Sequence, residues 1–143
     1  MLLRLLIGGV LIVHGLIVAA QSFGAFGNGS PIANPAWLKW WPTPLGQSWL
    51  LAGTRLEKTL VSWLFGAGWL VGGLALIAAG LGVFGVLVPR EWWRALAIGG
   101  AGMSLLMLFL YFHPMMIVGT GLSVAILLAL LWAHWPAVER MGA

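Results

Sequence analysis

Three histidines, His14, His113 and His134, are the side chains in this sequence best suited to hold a cofactor or move a proton. His14 lies in an apolar run from Leu2 to Ala20 that is otherwise interrupted only by Arg4. His14 lies ten positions beyond Arg4, about 15 Å along a helix axis. That spacing puts the imidazole near the middle of a membrane-length segment. Polar side chains at such a depth are costly, so each is a functional candidate by default. The others are Arg4, Glu57, Lys58, Ser62, Ser104, Tyr111, His113, Thr120, Ser123 and His134.

His113 belongs to a loop on the side of the membrane that His14 approaches. Two imidazoles converging from different helices would suit the axial positions of a haem b, or hydrogen bonds to a quinone carbonyl. The alternative is that His14 makes one interhelical hydrogen bond and His113 caps a turn. The candidate cofactor-binding set is therefore His14, His113 and Arg4, with quinone or haem as the group. Arg4, close to a helix end, is otherwise a snorkelling side chain. His134 is too far from His113 along one segment to share a small site.

The rest of the composition removes whole classes of chemistry. There is no cysteine, so thiolate metal sites, disulfides and thiol redox chemistry are absent. There is no aspartate, and the three glutamates, Glu57, Glu91 and Glu139, fall outside the apolar segments. A hard-cation site, which wants several carboxylates, is not expected. Seven basic residues are scattered along the chain and give a formal charge of +4. A nucleic-acid partner needs a dense basic face, and none is expected here. No catalytic triad or phosphate-binding loop is visible, so the residues themselves support no intrinsic enzyme activity.

The elements that would position these side chains follow from hydropathy. Hydrophobic residues make up 62% of the 143, charged residues 7%, and mean hydropathy is +1.03. A soluble domain carries about 25% charged residues, so a water-coated globule is excluded. A hydrocarbon core about 30 Å thick needs about 20 apolar helical residues. Four segments meet that requirement, at about 2–20, 59–88, 95–112 and 116–135. The expected fold is all-α, a single integral membrane domain forming a four-helix bundle. The first segment has signal-peptide features, with Arg4 ahead of it and Val18-Ala19-Ala20 behind. It is read as a retained span. The second is long enough to demand tilt, or an end near Gly80-Leu81-Gly82.

Residues 21–58 form a long first loop, rich in proline and tryptophan, with Trp37-Leu38-Lys39-Trp40-Trp41-Pro42 at its centre. Tryptophan favours the headgroup zone, so this loop is expected on the bilayer surface or folded over the bundle mouth. Gly68 and Gly72 make a GxxxG pattern, whose plain reading is close helix packing within the chain. With an even number of spans both termini share one side. That side holds Arg4, Arg90, Arg94 and Arg140 against Lys39, Arg55 and Lys58 opposite. The positive-inside rule favours cytoplasmic termini.

The opening Leu3-Arg4-Leu5-Leu6-Ile7-Gly8-Gly9-Val10-Leu11-Ile12-Val13-His14-Gly15 resembles the first helix of DoxX-like proteins, where an arginine precedes a His-Gly pair by about ten residues. Trp69-Leu70-Val71-Gly72-Gly73-Leu74 resembles the start of that family's second-helix motif. The four-span layout with a long first loop also agrees. The family includes the small membrane subunit of thiosulfate:quinone oxidoreductase. The resemblance implies functional positions at Arg4, His14 and Gly15, and places the chain in a bacterial-type inner (cytoplasmic) membrane. It further implies an accessory or anchoring subunit of a redox complex, partnered by the lipid bilayer and by other membrane or peripheral subunits or copies of itself. One departure stands out: where the family often has a glutamate three residues before the paired glycine, this chain has Trp69. Two other classes remain open, a non-enzymatic structural subunit and a small transporter. The latter is disfavoured by spans that lack buried charge and breaks.

Overall fold

The computed structural model describes residues 1–26, 32–51, 54 and 60–137. The Arg55-Glu57-Lys58 cluster and the tail holding Glu139 and Arg140 lie outside the described residues. Four long helices run in order: α1 (Leu2–Phe26), α2 (Leu60–Phe84), α3 (Trp93–Leu110) and α4 (Ile117–Leu127). A π-helical turn over Leu128–Trp132 continues α4. Counting their flanking turns, all four are long and apolar enough to cross a membrane. No strand occurs among the described residues, only an isolated bridge between Ile32 and Leu45.

The helices alternate in direction, because each pairs head to tail with the next. Gly8 abuts Phe84, Gly15 abuts Gly73 and Gly66 abuts Phe26, so α1 and α2 are antiparallel. Gly82 meets Trp93, Gly100 meets Leu76 and Gly68 meets Met107, so α3 reverses again. Helix α2 is thus clamped on two faces. One carries Gly66, Gly73 and Gly80 at seven-residue spacing against Gly8 and Gly15 of α1, also seven apart. A seven-residue repeat keeps small residues on one seam of a helix pair, and small residues let the backbones close up. A Cβ on Gly73 would stand 2.5 Å from the Ala19 backbone nitrogen and 2.6 Å from the Gly15 carbonyl oxygen. The second face carries Gly68 and Gly72 against Met107 and Met103 of α3. The GxxxG pair therefore packs two helices of one chain.

Helix α1 continues past Ala20 to Phe26, because the residues after the apolar run keep its packed face and Phe26 stacks on Trp63 at 5.1 Å. Helix α2 stops at Phe84 rather than at Gly80-Leu81-Gly82. Gly85, at φ +69°, closes it: Gly85 N–H donates to the Gly82 carbonyl at 2.9 Å and Val86 N–H to that of Leu81 at 3.0 Å. These two bonds form a Schellman motif, which satisfies the orphan carbonyls of the last turn. Gly80 and Gly82 are helix-interior residues used for contact.

Residues 32–51 of the first loop fold into a lid. Reciprocal backbone bonds between Ile32 and Leu45 close its base. Asn34 Nδ2 donates to the Trp41 and Thr43 carbonyls, both at 3.1 Å, and Leu38 is fully buried. Ser48 Oγ and Trp49 Nε1 donate to the carbonyls of Leu110 and Phe109, each at 2.7 Å. Those carbonyls end α3 and have no intrahelical donor, so the lid caps the helix that it covers. Trp37 and Trp40 remain exposed at its tip.

Candidate functional site

Helix α4 is held least firmly, and its seam with α1 is the loosest of the four. Of Ile117–Leu127 only Ser123 is buried. That serine anchors a polar cluster inside the bundle. His14 Nε2 lies 2.8 Å from Ser123 Oγ, and Ser123 Oγ donates to Ser104 Oγ at 3.3 Å. All three residues are buried. The chain of bonds joins α1, α4 and α3 across the middle of the molecule. A neutral imidazole offers one donor and one acceptor. With the Ser123 proton given to Ser104, Nε2 carries the His14 proton and Nδ1 keeps its lone pair. Nδ1 has no partner among the described residues.

Beside His14 a cavity of about 250 Å³ lies between α1 and the first turns of α4. A second, of about 300 Å³, reaches from Tyr111 to the lid residues Ile32 and Leu45. Gln21, Trp69 and Met116 line both, so the two cavities adjoin across these side chains as a two-part chamber with His14 in the inner part. Trp69 is 3% exposed and supplies a flat aromatic wall. Tyr111 packs edge-on against Phe65 at 5.3 Å. The chamber can receive a flat, largely apolar group and offer it His14 and the Gln21 amide as polar partners.

The three expected cofactor-binding residues do not share it. His113 caps the turn before α4. Its Nδ1 accepts the Met115 N–H at 3.3 Å, so its proton sits on Nε2, which donates to Asn34 Oδ1 at 3.0 Å. Trp41 packs edge-on against it, with ring centroids 6.4 Å apart. Both nitrogens are thus used to fasten the lid to the α3–α4 turn, and no described cavity is lined by both His14 and His113. Arg4 lies in the first turn of α1, at the far end from the lid. His134 stands at that same far end, where its Nδ1 accepts from Arg94 at 3.2 Å.

A haem fits these residues poorly, because His113 Nε2 and Nδ1 are engaged and cannot join His14 on one iron. No group of three metal-ligating side chains occurs among the described residues. A quinone ring fits the chamber better, since it needs only hydrogen-bonding partners and an aromatic wall. Two participants had no sequence signal of their own. Asn34 is an unremarked loop residue, and Gln21 fell beyond the expected helix end. Gln21 is seven residues after His14 and shares its face on a continuous helix, so a longer α1 would have exposed it. No protein-family model, curated protein or solved structure matches this chain.

Proposed function

We propose that this chain is a DoxX-like integral membrane protein, an accessory or anchoring subunit of a membrane redox complex that offers a quinone-facing chamber. The protein sits in a bacterial-type inner membrane with both termini in the cytoplasm. The observation that carries the reading is the chamber at His14, lined by Trp69 and Gln21 and walled by the loop residues Ile32 and Leu45, which reciprocal backbone bonds tie together. His14 Nδ1 would face the polar edge of the ring, with Gln21 as a second partner. The bound group supplies two-electron redox chemistry. This chain supplies orientation, exclusion of water, and a proton-accepting nitrogen backed by two serines. The Ser123–Ser104 pair supports this role, because reversing its hydroxyl direction lets His14 present either a donor or an acceptor at Nδ1.

A second reading has its own support: His14 already bonds an interhelical partner, and α4 turns an apolar face outward through Val118, Val124, Leu128 and Leu131. Such a face suits a structural subunit of a larger membrane assembly, or a homo-oligomer. One purification separates the two. The full chain is extracted in mild detergent, its visible spectrum recorded, and bound quinone measured in organic extracts. Near-stoichiometric quinone that is lost in His14→Ala supports the redox reading. Protein that is empty in both forms and co-purifies only with stoichiometric protein partners overturns it in favour of the structural one.

A further inference from the structure

On the far side of the His14–Ser123 bond the α1–α4 seam opens again, into a groove of about 300 Å³ lined wholly by apolar side chains. Leu6 and Val10 form its α1 wall and Ala125 and Ala129 its α4 wall, while Trp93 and Leu130 make the floor. Leu6 and Val10 are also exposed on the outer surface, so the groove opens sideways from the bundle. An apolar recess of this kind does not hold ordered water. In a bilayer the apolar material beside it is lipid tail.

The end of the groove nearest the termini is cationic. Arg94 follows the floor residue Trp93 and sends its guanidinium to the carbonyl of Leu130, the other floor residue. Its second partner is His134 Nδ1, next to Trp135, which closes the groove. Neither partner is an acid, so the charge on Arg94 is not balanced within the described residues. Arg4 and Arg90 lie at the same end, against Glu91 alone among the described acids. The Leu130 carbonyl belongs to the π-helical turn Leu128–Trp132, whose wider bonding, Ala133 N–H to the Leu128 carbonyl at 3.0 Å, displaces the ordinary ladder.

We infer that the α1–α4 groove is a site for an anionic phospholipid, with one acyl chain between Leu6, Val10, Ala125 and Ala129 and the phosphate at Arg94. The site rests on the membrane-spanning part of the proposed function and not on quinone binding at His14. A guanidinium suits a phosphate because it is always charged, and while two Nη2 bonds fix its direction, the Nε and Nη1 donors of Arg94 remain to meet the oxygens. The small residues Ala125 and Ala129 make room for the chain. This site would hold α4, the least anchored helix, to α1.

The full chain is placed in phosphatidylcholine nanodiscs with a trace of phosphatidylglycerol bearing a diazirine in mid-chain, and the labelled peptides are mapped after irradiation. Label is expected on the Leu6–Val10 and Ala125–Ala129 segments. Unlabelled phosphatidylglycerol should displace it better than phosphatidylcholine by about fivefold, the factor one basic residue contributes at an anionic surface. Arg94→Gln should remove that preference, and Ala129→Phe should remove the label. Label spread equally over the exposed α3 residues Leu106 and Phe109, or displacement by decylubiquinone in place of phosphatidylglycerol, overturns the site. An unchanged preference in Arg94→Gln does the same. The wild-type mapping stands even where a variant fails to fold. Release of the chain from membranes by alkaline carbonate would instead count against the membrane-spanning reading.

Discussion

At the scale of single residues, the two buried histidines have opposite duties. His14 spends one nitrogen on Ser123 and lines a chamber, whereas His113 spends both on the lid and the turn before α4. Interhelical hydrogen bonds in membrane proteins average about 0.6 kcal/mol and reach about 1.7. Ser123→Ala should therefore lower the stability of the purified protein by about 1 kcal/mol, read by thermal unfolding in detergent. A loss several times larger would mean that the serine pair holds more than one bond. His113 makes a different prediction. Burial holds its imidazole below the ordinary histidine value, and the Met115 N–H pointing at Nδ1 leaves no place for a second proton. The unfolded chain takes that proton near the usual value of about 6.5. The folding stability that His113 contributes is therefore complete above about pH 6.5 and is lost as pH falls from there towards the lowered folded value. Melting temperature should drop between pH 7.5 and pH 5.5, by less in His113→Asn than in wild type (the two pH values chosen to bracket about 6.5). Equal drops in the two proteins would sink the assignment.

At the scale of elements, α2 organises the molecule because glycine gives it two faces. The Gly66-Gly73-Gly80 seam lets α1 approach to backbone contact, while Gly68 and Gly72 accept the methionines of α3. Gly73→Ala sets a methyl group 2.5 Å from the Ala19 nitrogen and 2.6 Å from the Gly15 carbonyl oxygen, and neither backbone atom can turn aside. Overpacking of this kind costs about 1–3 kcal/mol, and the α1–α2 pair is expected to separate or rotate. Gly99→Ala meets nothing within 4 Å and should leave stability unchanged or raise it by up to about 1 kcal/mol, because alanine is the better helix former. Detergent unfolding of the two variants side by side checks the contrast. Similar losses in the two variants would sink the contact argument. The lid is bound by the same economy of polar groups. Its Ser48 and Trp49 serve carbonyls that α3 itself leaves bare.

For the whole molecule, the uneven seams matter most. Three helices form a tight core, and α4 joins it mainly through Ser123, Arg94 and the apolar floor around Leu130. The chamber on the lid side and the groove on the terminal side are the two halves of the resulting gap, divided by the His14–Ser123 bond. Membrane orientation then assigns each half to a surface. An alkaline phosphatase fused after Gly142 should be inactive in intact cells, and a green fluorescent protein fused there should glow. Phosphatase activity at that position would reverse the proposed orientation and move the lid to the cytoplasmic face.

Much of the helical frame was legible in the sequence, for a thermodynamic reason. Long apolar segments broken by Pro42, Pro89 and Pro114 with few charges between them admit little besides four long helices, which satisfy their own backbone hydrogen bonds. His14 was marked by the same logic, since a polar group at that depth must be explained. The site was much less legible. Hydropathy does not say which face of a helix turns inward, so nothing along the chain paired His14 with Ser123 or His113 with Asn34. Nor could it show that α1 extends far enough to bring Gln21 beside His14. Those pairings depend on helix rotation and separation, which the glycine seams of α2 set by deciding how closely each neighbour comes. Only the assembled bundle shows that α1 and α4 stay apart, leaving space on either side of one hydrogen bond.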